Sequence, residues 1–144
     1  MNIEINTIIE KSRFSQKYLD KINNTEINKI IKLIEKNILE DNFNHKICEM
    51  IVKETGFGNI EDKIYKNKYK TKNLIKDIIK IKTNYPKFYK KKKIYEILKP
   101  IGVICGVTPS TNPIATALNY IINSIKCRNS LIICPNPRSY NVSS

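Results

Sequence analysis

PIGVICGVTPSTNPIATALNYIINSIKCRNSLIICPNPR, residues 100–138, decides the fold. Ile101 to Val107 is nearly all apolar, as expected of a central parallel strand covered on both faces. Asn112 before Pro113 reads as an N-cap with proline at the first helical position, where its missing N–H costs nothing. Ile114, Ala117, Leu118, Ile121, Ile122 and Ile125 then follow at helical spacing, toward an end near Arg128 and Asn129. Ser130 to Cys134 is a second short apolar run. Strand, helix and strand make a right-handed crossover with two parallel strands, an α/β unit.

Upstream the chain reads as helices. Thr25 can cap a segment whose Ile27, Ile30, Ile31, Ile34 and Ile38 share one face, and that face needs a partner. A second helix, from about Asn42 to Glu54, turns Ile47, Met50 and Ile51 inward and stops at Gly56, where a left-handed residue ends a helix without a Cβ penalty. Asn59 with Asp62 starts a third, running toward Thr83 with its lysines as the wet face. From Asn84 to Lys93, Tyr85-Pro86 and the run Lys90 to Lys93 read as a solvated connection. Ile94 to Leu98 alternates like a half-buried strand. The expected division is a helical part, 1–93, and a strand plus βαβ beginning, 94–144.

Composition narrows the function classes. The net charge of +13 comes from lysine scattered among isoleucine and asparagine, with only Arg13, Arg128 and Arg138 as arginines. Neither a basic stripe interleaved with stacking aromatics nor a recognisable reading motif accompanies it, so no nucleic-acid partner is expected. Cys48, Cys105, Cys127 and Cys134 show no CxxC spacing, which favours free thiols in a reducing cytoplasm. His45 and Cys48 lie three apart, but two ligands do not close a metal site, and no metal is expected. No apolar run is long enough to span a bilayer, and Met1 to Glu10 carries acids instead of a basic flank, so no membrane partner or leader is expected.

Ligands of a parallel sheet bind beyond the carboxyl ends of the strands, where loops converge with helix N-termini. Two loops lie there. Thr108-Pro109-Ser110-Thr111-Asn112 brings hydroxyls and an amide to the positive end of a helix, which suits a phosphate or an oxyanion. Pro135 to Arg138 follows the second strand. Asn112 has two roles open to it, N-cap or ligand donor. The first loop holds no Gly-x-Gly-x-x-Gly and no Gly-Lys-Ser phosphate loop, so a dinucleotide would bind without either fingerprint.

Pro100 to Pro113, Lys126-Cys-Arg-Asn129 and Cys134-Pro-Asn-Pro-Arg138 resemble the coenzyme-A-acylating aldehyde dehydrogenases, including the N-terminal half of bifunctional aldehyde-alcohol dehydrogenases. Glu54-Thr-Gly-Phe-Gly58, Glu61-Asp-Lys63 and Asn67 are similar to that family's "ETGMG…EDK…KN" stretch. The match runs from about Phe14 onward.

The resemblance implies the first βαβ unit of a Rossmann-like nucleotide-binding domain of the aldehyde dehydrogenase fold, incomplete here, in relatives that are homo-oligomers. It implies the reaction of a small aldehyde, NAD⁺ and coenzyme A to acyl-CoA and NADH. Asn112 would donate to the oxyanion. Thr108, Pro109, Ser110 and Thr111 would line the nicotinamide side, and Pro135 and Asn136 the adenosine ribose. Two positions depart from pattern. Relatives often carry histidine where Asn136 stands. The spacing also differs by one from the Pro-Trp-Asn-Phe-Pro motif of hydrolytic aldehyde dehydrogenases, which keeps Thr111 as a second candidate for the oxyanion. The family's nucleophilic cysteine lies further downstream and none of the four thiols matches it; Cys105, expected to be buried in a central strand, would be inert. The chain is thus expected to be a fragment, inactive alone. The alternatives are a non-catalytic remnant or helical interaction module and, further off, a basic RNA-binding protein.

Overall fold

The structure is a computed structural model that describes residues 2–83 and 85–143. Four helices come first: α1 (Asn2–Leu19), α2 (Asn24–Ile38), α3 (Asp41–Thr55) and α4 (Ile60–Ile78). A hairpin follows, β1 (Lys87–Tyr89) and β2 (Ile94–Glu96), and then β3 (Val103–Val107), α5 (Pro113–Lys126) and β4 (Ser130–Cys134). A single 3-10 turn, Pro137–Ser139, leads into α6 (Tyr140–Ser143). β3 and β4 pair in parallel, Val103 opposite Ser130 and Val107 opposite Cys134. The expected strand, helix and strand are all there.

Local chemistry explains the helix ends. Asn23 caps α2, its side chain accepting from the Glu26 N–H at 3.0 Å. The expected cap, Thr25, lies inside the helix, because starting at Asn24 puts Glu26 in the third position, where an acid favours the helix dipole. Gly56 ends α3 in the left-handed region at φ 70°, and Asn59 caps α4 through the Asp62 N–H at 2.8 Å.

The partner that the α2 face requires is α5 together with α4. Ile27, Ile31, Ile75 and Ile122 form a core at 0–2% exposure, flanked by Leu19, Ile22, Leu74, Ile78, Ile79 and Ile125. Each of these four buried isoleucines contributes about 1.5–3 kcal/mol relative to an exposed one.

Several expectations are corrected. Met50 points to solvent at 40% exposure, while Asn44 and Cys48 take the inner face of α3 beside Ile51. Asn67 explains the exchange: its amide donates to Asn44 Oδ1 at 3.1 Å and reaches Cys48 Sγ at 3.5 Å, so a polar pair is satisfied between α3 and α4. The segment after Thr83 is not a plain connection. Lys87 to Glu96 close an antiparallel hairpin, with Phe88 against Tyr95 at 4.5 Å between ring centroids and the turn made by the lysine run. Asn84, where the connection was expected to start, lies outside the described residues. β2 is exposed throughout instead of half-buried.

β3 is not covered on both faces. Gly106 packs against α5, where an added Cβ would stand 2.7 Å from Tyr120 Cδ2, whereas Cys105 and Val107 face outward, Val107 at 68% exposure. α1 approaches that outer face and leaves a cleft of about 770 Å³ lined by Ile5, Ile8, Cys105, Ile132 and Cys134 among others. Cys105 is therefore an exposed thiol, with its Sγ 3.5 Å from that of Cys134.

Candidate functional site

The carboxyl ends of β3 and β4 are held level by the Thr108 N–H, which donates to the Cys134 carbonyl at 3.1 Å. The loops Thr108–Asn112 and Pro135–Asn136 consequently leave the sheet side by side. Thr108 is 1% exposed, and its hydroxyl has no hydrogen-bond partner. Pro109 and Thr111 are exposed; Ser110, Asn112, Pro135 and Asn136 are half-buried.

Asn112 occupies the cap position of α5 without performing the cap. Its backbone is at φ −143°, ψ 59°, and its side chain accepts no N–H from the first turn. Instead Lys66 Nζ donates to Asn112 Oδ1 at 3.0 Å, which commits the acceptor end of the amide and leaves Nδ2 as a donor, 3.5 Å from Thr111 Oγ1. One turn earlier on α4, Lys63 Nζ donates to the Thr111 carbonyl at 2.6 Å. Lys63 is 7% exposed, and burial, followed by the charge of Lys66, pulls its pKa below the ordinary lysine range. Two lysines of α4 thus pin the end of the loop. Both were expected on a wet face, and only their three-residue spacing opposite α5 could have signalled otherwise.

The second loop is pinned from α3. The Glu54 carboxylate accepts from the Asn141 N–H at 2.8 Å, the Asn141 amide at 3.1 Å and the Val142 N–H at 2.9 Å. Asn136 Oδ1 accepts from the Arg138 N–H at 3.0 Å, closing the turn after β4 and leaving its Nδ2 to donate.

The Lys126-Cys-Arg-Asn129 stretch braces the sheet from behind. Arg128, 2% exposed and at φ 59°, donates from Nε to the Ile22 carbonyl at 2.9 Å, from Nη1 to Thr83 Oγ1 at 2.6 Å and from Nη2 to Asn24 Oδ1 at 3.3 Å. Lys126 Nζ donates to Asn28 Oδ1 at 2.8 Å and to the Ile79 carbonyl at 3.2 Å. Burial, then the charge of Arg128, lowers the Lys126 pKa. Asn129 Oδ1 accepts from the Gly102 N–H at 2.8 Å, at the entry to β3.

Two of the thiols are held toward the protonated form. Cys48 is fully buried and its pKa is pushed up to about 11 by burial. The Cys134 thiol is held up mainly by its hydrogen bond with Cys105. Cys127 caps the far end of α5. His45 is exposed near Glu49 while Cys48 is buried, and among the described residues no group of three or more His, Cys, Asp or Glu could hold a metal ion. Among the same residues no helix is long and apolar enough to cross a membrane.

No protein-family model matches the chain. Its sequence is 35% identical over 132 residues to the acylating sulfoacetaldehyde dehydrogenase of Cupriavidus necator, a match covering 91% of this chain and 27% of that protein. A probable aldehyde dehydrogenase from Listeria monocytogenes EGD-e superposes with a TM-score of 0.90 at 33% identity, over 97% of this chain and 31% of that one. An acetylating aldehyde dehydrogenase from Geobacillus thermoglucosidasius superposes with a TM-score of 0.91 at 30% identity, over the same 97% and 31%. The chain thus spans about 27–31% of the length of these relatives. Over that span, in sequence and in fold alike, it belongs to the acylating aldehyde dehydrogenases.

Proposed function

We propose that the chain supplies the oxyanion and cofactor edge of an NAD-dependent, coenzyme-A-acylating aldehyde dehydrogenase, which converts a small aldehyde, coenzyme A and NAD⁺ to acyl-CoA and NADH. The observation that carries this reading is Asn112. A residue in an N-cap position that does not cap, and whose oxygen is held by Lys66, presents its amide N–H to whatever lies beyond the sheet. A preorganised N–H donor of that kind suits the negative charge that develops on a carbonyl oxygen under attack. Thr111 keeps its place as second candidate, since it is exposed beside Asn112 and its carbonyl is fixed by Lys63.

The residues present fit a dinucleotide edge. The buried Thr108 hydroxyl lacks a partner at the strand end, Ser110 and Thr111 add hydroxyls, and Asn136 keeps its amide N–H free for a ribose. When bound, NAD supplies the hydride acceptor and coenzyme A the thiol that takes the acyl group. The nucleophile is not one of the four thiols in this chain: Cys48 is buried, Cys127 is about 20 Å away along α5, and the Cys105 and Cys134 thiols are hydrogen-bonded to each other, an interaction that holds Cys134 toward the protonated form. The 144 residues alone should therefore give no NADH from aldehyde, NAD⁺ and coenzyme A.

The test is an NMR titration of the ¹⁵N-labelled chain with NAD⁺. Saturable shifts concentrated in Thr108–Asn112 and at Asn136 are expected. Shifts elsewhere with those loops silent would remove the assignment. Measurable turnover abolished by Cys105→Ser or Cys134→Ser would show that the nucleophile had been misplaced.

A further inference from the structure

β3 and β4 each place a cysteine on the outer face of the sheet. Cys105 lies opposite Ile132 and Cys134 opposite Val107, so the two thiols are diagonal neighbours in the parallel ladder. Their Sγ atoms stand 3.5 Å apart, and both side chains are exposed. They open on the cleft of about 770 Å³ beside α1. At ~30 Å³ per water that is room for about 25 waters. Its walls are mostly isoleucine, and among the described lining residues Arg13 alone carries a charge. Arg13 is in no salt bridge among the described residues.

A disulfide has an S–S length of ~2.05 Å, so the two sulfurs must approach by about 1.5 Å to bond. Cys105 sits in the middle of β3, beside Gly106, whose close approach to Tyr120 holds that strand against α5. Cys134 is the last residue of β4, and Pro135 follows it. The movement therefore falls on the end of β4. A bond that forms only by displacing a strand end is strained and easily reduced, which is the property of a redox-sensing disulfide and not of a structural one. Such a bond forms and opens in a compartment where permanent disulfides do not persist.

We propose that Cys105 and Cys134 form a redox-active dithiol, which a small anionic disulfide entering the cleft converts reversibly to an intramolecular disulfide. One cysteine, as thiolate, attacks a sulfur of the incoming disulfide; a mixed disulfide forms and one small thiolate leaves. The second cysteine, deprotonated in turn, attacks the protein sulfur of that mixed disulfide and expels the other small thiolate. The cysteines together lose two electrons, the small disulfide gains them, and the two protons released end on the two small thiols. Cys134 is held toward the protonated form by its partner, so Cys105 attacks first. With the sulfurs already adjacent, the second exchange is intramolecular and the mixed disulfide does not accumulate. Arg13 supplies the attraction for an anionic reagent. Closure pulls on the Cys134 carbonyl, which accepts the Thr108 N–H, and on Pro135 next to it, so the oxidation state is felt at the roots of both loops.

The full reduced chain is treated with oxidised glutathione, quenched with acid and mapped by mass spectrometry. The expected product is a Cys105–Cys134 link that dithiothreitol reverses, while Cys127, exposed at the end of α5, carries at most a mixed disulfide. Cys105→Ser should stop at a mixed disulfide on Cys134, and Cys134→Ser at one on Cys105; both positions are exposed, and both variants should keep the circular dichroism of the parent. Oxidation of the ¹⁵N-labelled chain should shift the Thr108 and Asn136 amides. Arg13→Gln should slow the reaction with oxidised glutathione several-fold and leave that with the neutral bis(2-hydroxyethyl) disulfide unchanged. A stable mixed disulfide on Cys105 or Cys134 in the parent chain, or links to Cys127 as frequent as those within the pair, would overturn the dithiol. A pair that closes with Thr108 and Asn136 unmoved would overturn its coupling to the loops, and equal slowing of both reagents by Arg13→Gln would overturn the preference for an anion.

Discussion

Replacing Arg128 should destabilise the chain more than any single surface change, because one guanidinium joins three segments distant in sequence. It reaches the Ile22 carbonyl ahead of α2, Asn24 at the start of α2 and Thr83 after α4, while its own backbone links α5 to β4. In Arg128→Ala, Thr83 and Asn24 remain satisfied, since Asn24 Oδ1 already accepts from the Thr83 N–H at 3.2 Å and lies 3.1 Å from its hydroxyl. The Ile22 carbonyl loses its guanidinium, at ~1–3 kcal/mol, and the lost stem leaves a void that adds ~1–2 kcal/mol on the scale of core truncations. Removing a buried cation that has no carboxylate partner returns some desolvation energy. The net expectation is a loss of ~2–4 kcal/mol, or about 5–15 °C in melting temperature at ~2–4 °C per kcal/mol for a chain of this size.

The backbone provides an internal control on that number. Arg128 sits at φ 59°, so Arg128→Gly should be more stable than Arg128→Ala by ~1 kcal/mol although glycine removes more atoms. Arg128→Lys keeps the charge but has no fork to reach three acceptors, and should fall between Ala and the parent. Thermal and urea unfolding followed by far-ultraviolet circular dichroism measure all three. An Arg128→Ala variant within ~0.5 kcal/mol of the parent, in the range of ordinary surface substitutions, or a glycine variant below the alanine one, would refute the reasoning.

Gly106→Ala places a methyl 2.7 Å from Tyr120 Cδ2 and should cost ~1–3 kcal/mol by overpacking; Tyr120→Leu in the same chain should recover part of it, and additivity of the two changes in urea unfolding would exclude the clash. Cys48 predicts a pH dependence. Its folded pKa, raised to about 11, exceeds the unfolded value of 9.0, so between those limits the folded chain keeps a proton that the unfolded chain has released. Its contribution is therefore fully present below pH 9 and lost as pH rises through 11; Cys48→Ala should show a shallower fall of the urea midpoint across that window, and identical slopes would contradict the buried thiol. The same burial should make Cys48 the slowest of the four thiols to alkylate in the folded chain, measurable by mass spectrometry after brief iodoacetamide treatment.

The elements that the sequence made legible are those whose periodicity and end chemistry agree. α5 has both, an apolar face and Asn112-Pro113 at its start, and α3 stops at Gly56 where the glycine permits φ 70°. The hairpin was hidden because Pro86 and four successive lysines argue locally for a loop, and its pairing is fixed by contacts such as Phe88 with Tyr95 and by Lys93 at φ 52°. Met50 looked inward by period, yet Asn67 on α4 supplies polar partners that bury Asn44 and Cys48 instead. The lysines were the least legible. Whether Lys126 is wet or buried is decided by Asn28 and the Ile79 carbonyl, 98 and 47 residues away, and nothing in the local composition reports them.

The stretches that most resemble the family divide physically into two kinds. Glu54 anchors the segment after β4, Gly56 ends α3, Lys63 holds the Thr111 carbonyl, Asn67 joins α3 to α4, and Arg128 and Asn129 fasten β3 and β4 to the helices. Apart from Gly56, each meets a backbone or side-chain polar group on a segment other than its own. What the proposed site offers a ligand is small: the hydroxyls of Thr108, Ser110 and Thr111 and the amides of Asn112 and Asn136. A change in any of the first set should move stability and loop geometry together. A change in the second should alter ligand binding while leaving the unfolding curve in place, and that split separates scaffold from site in this chain.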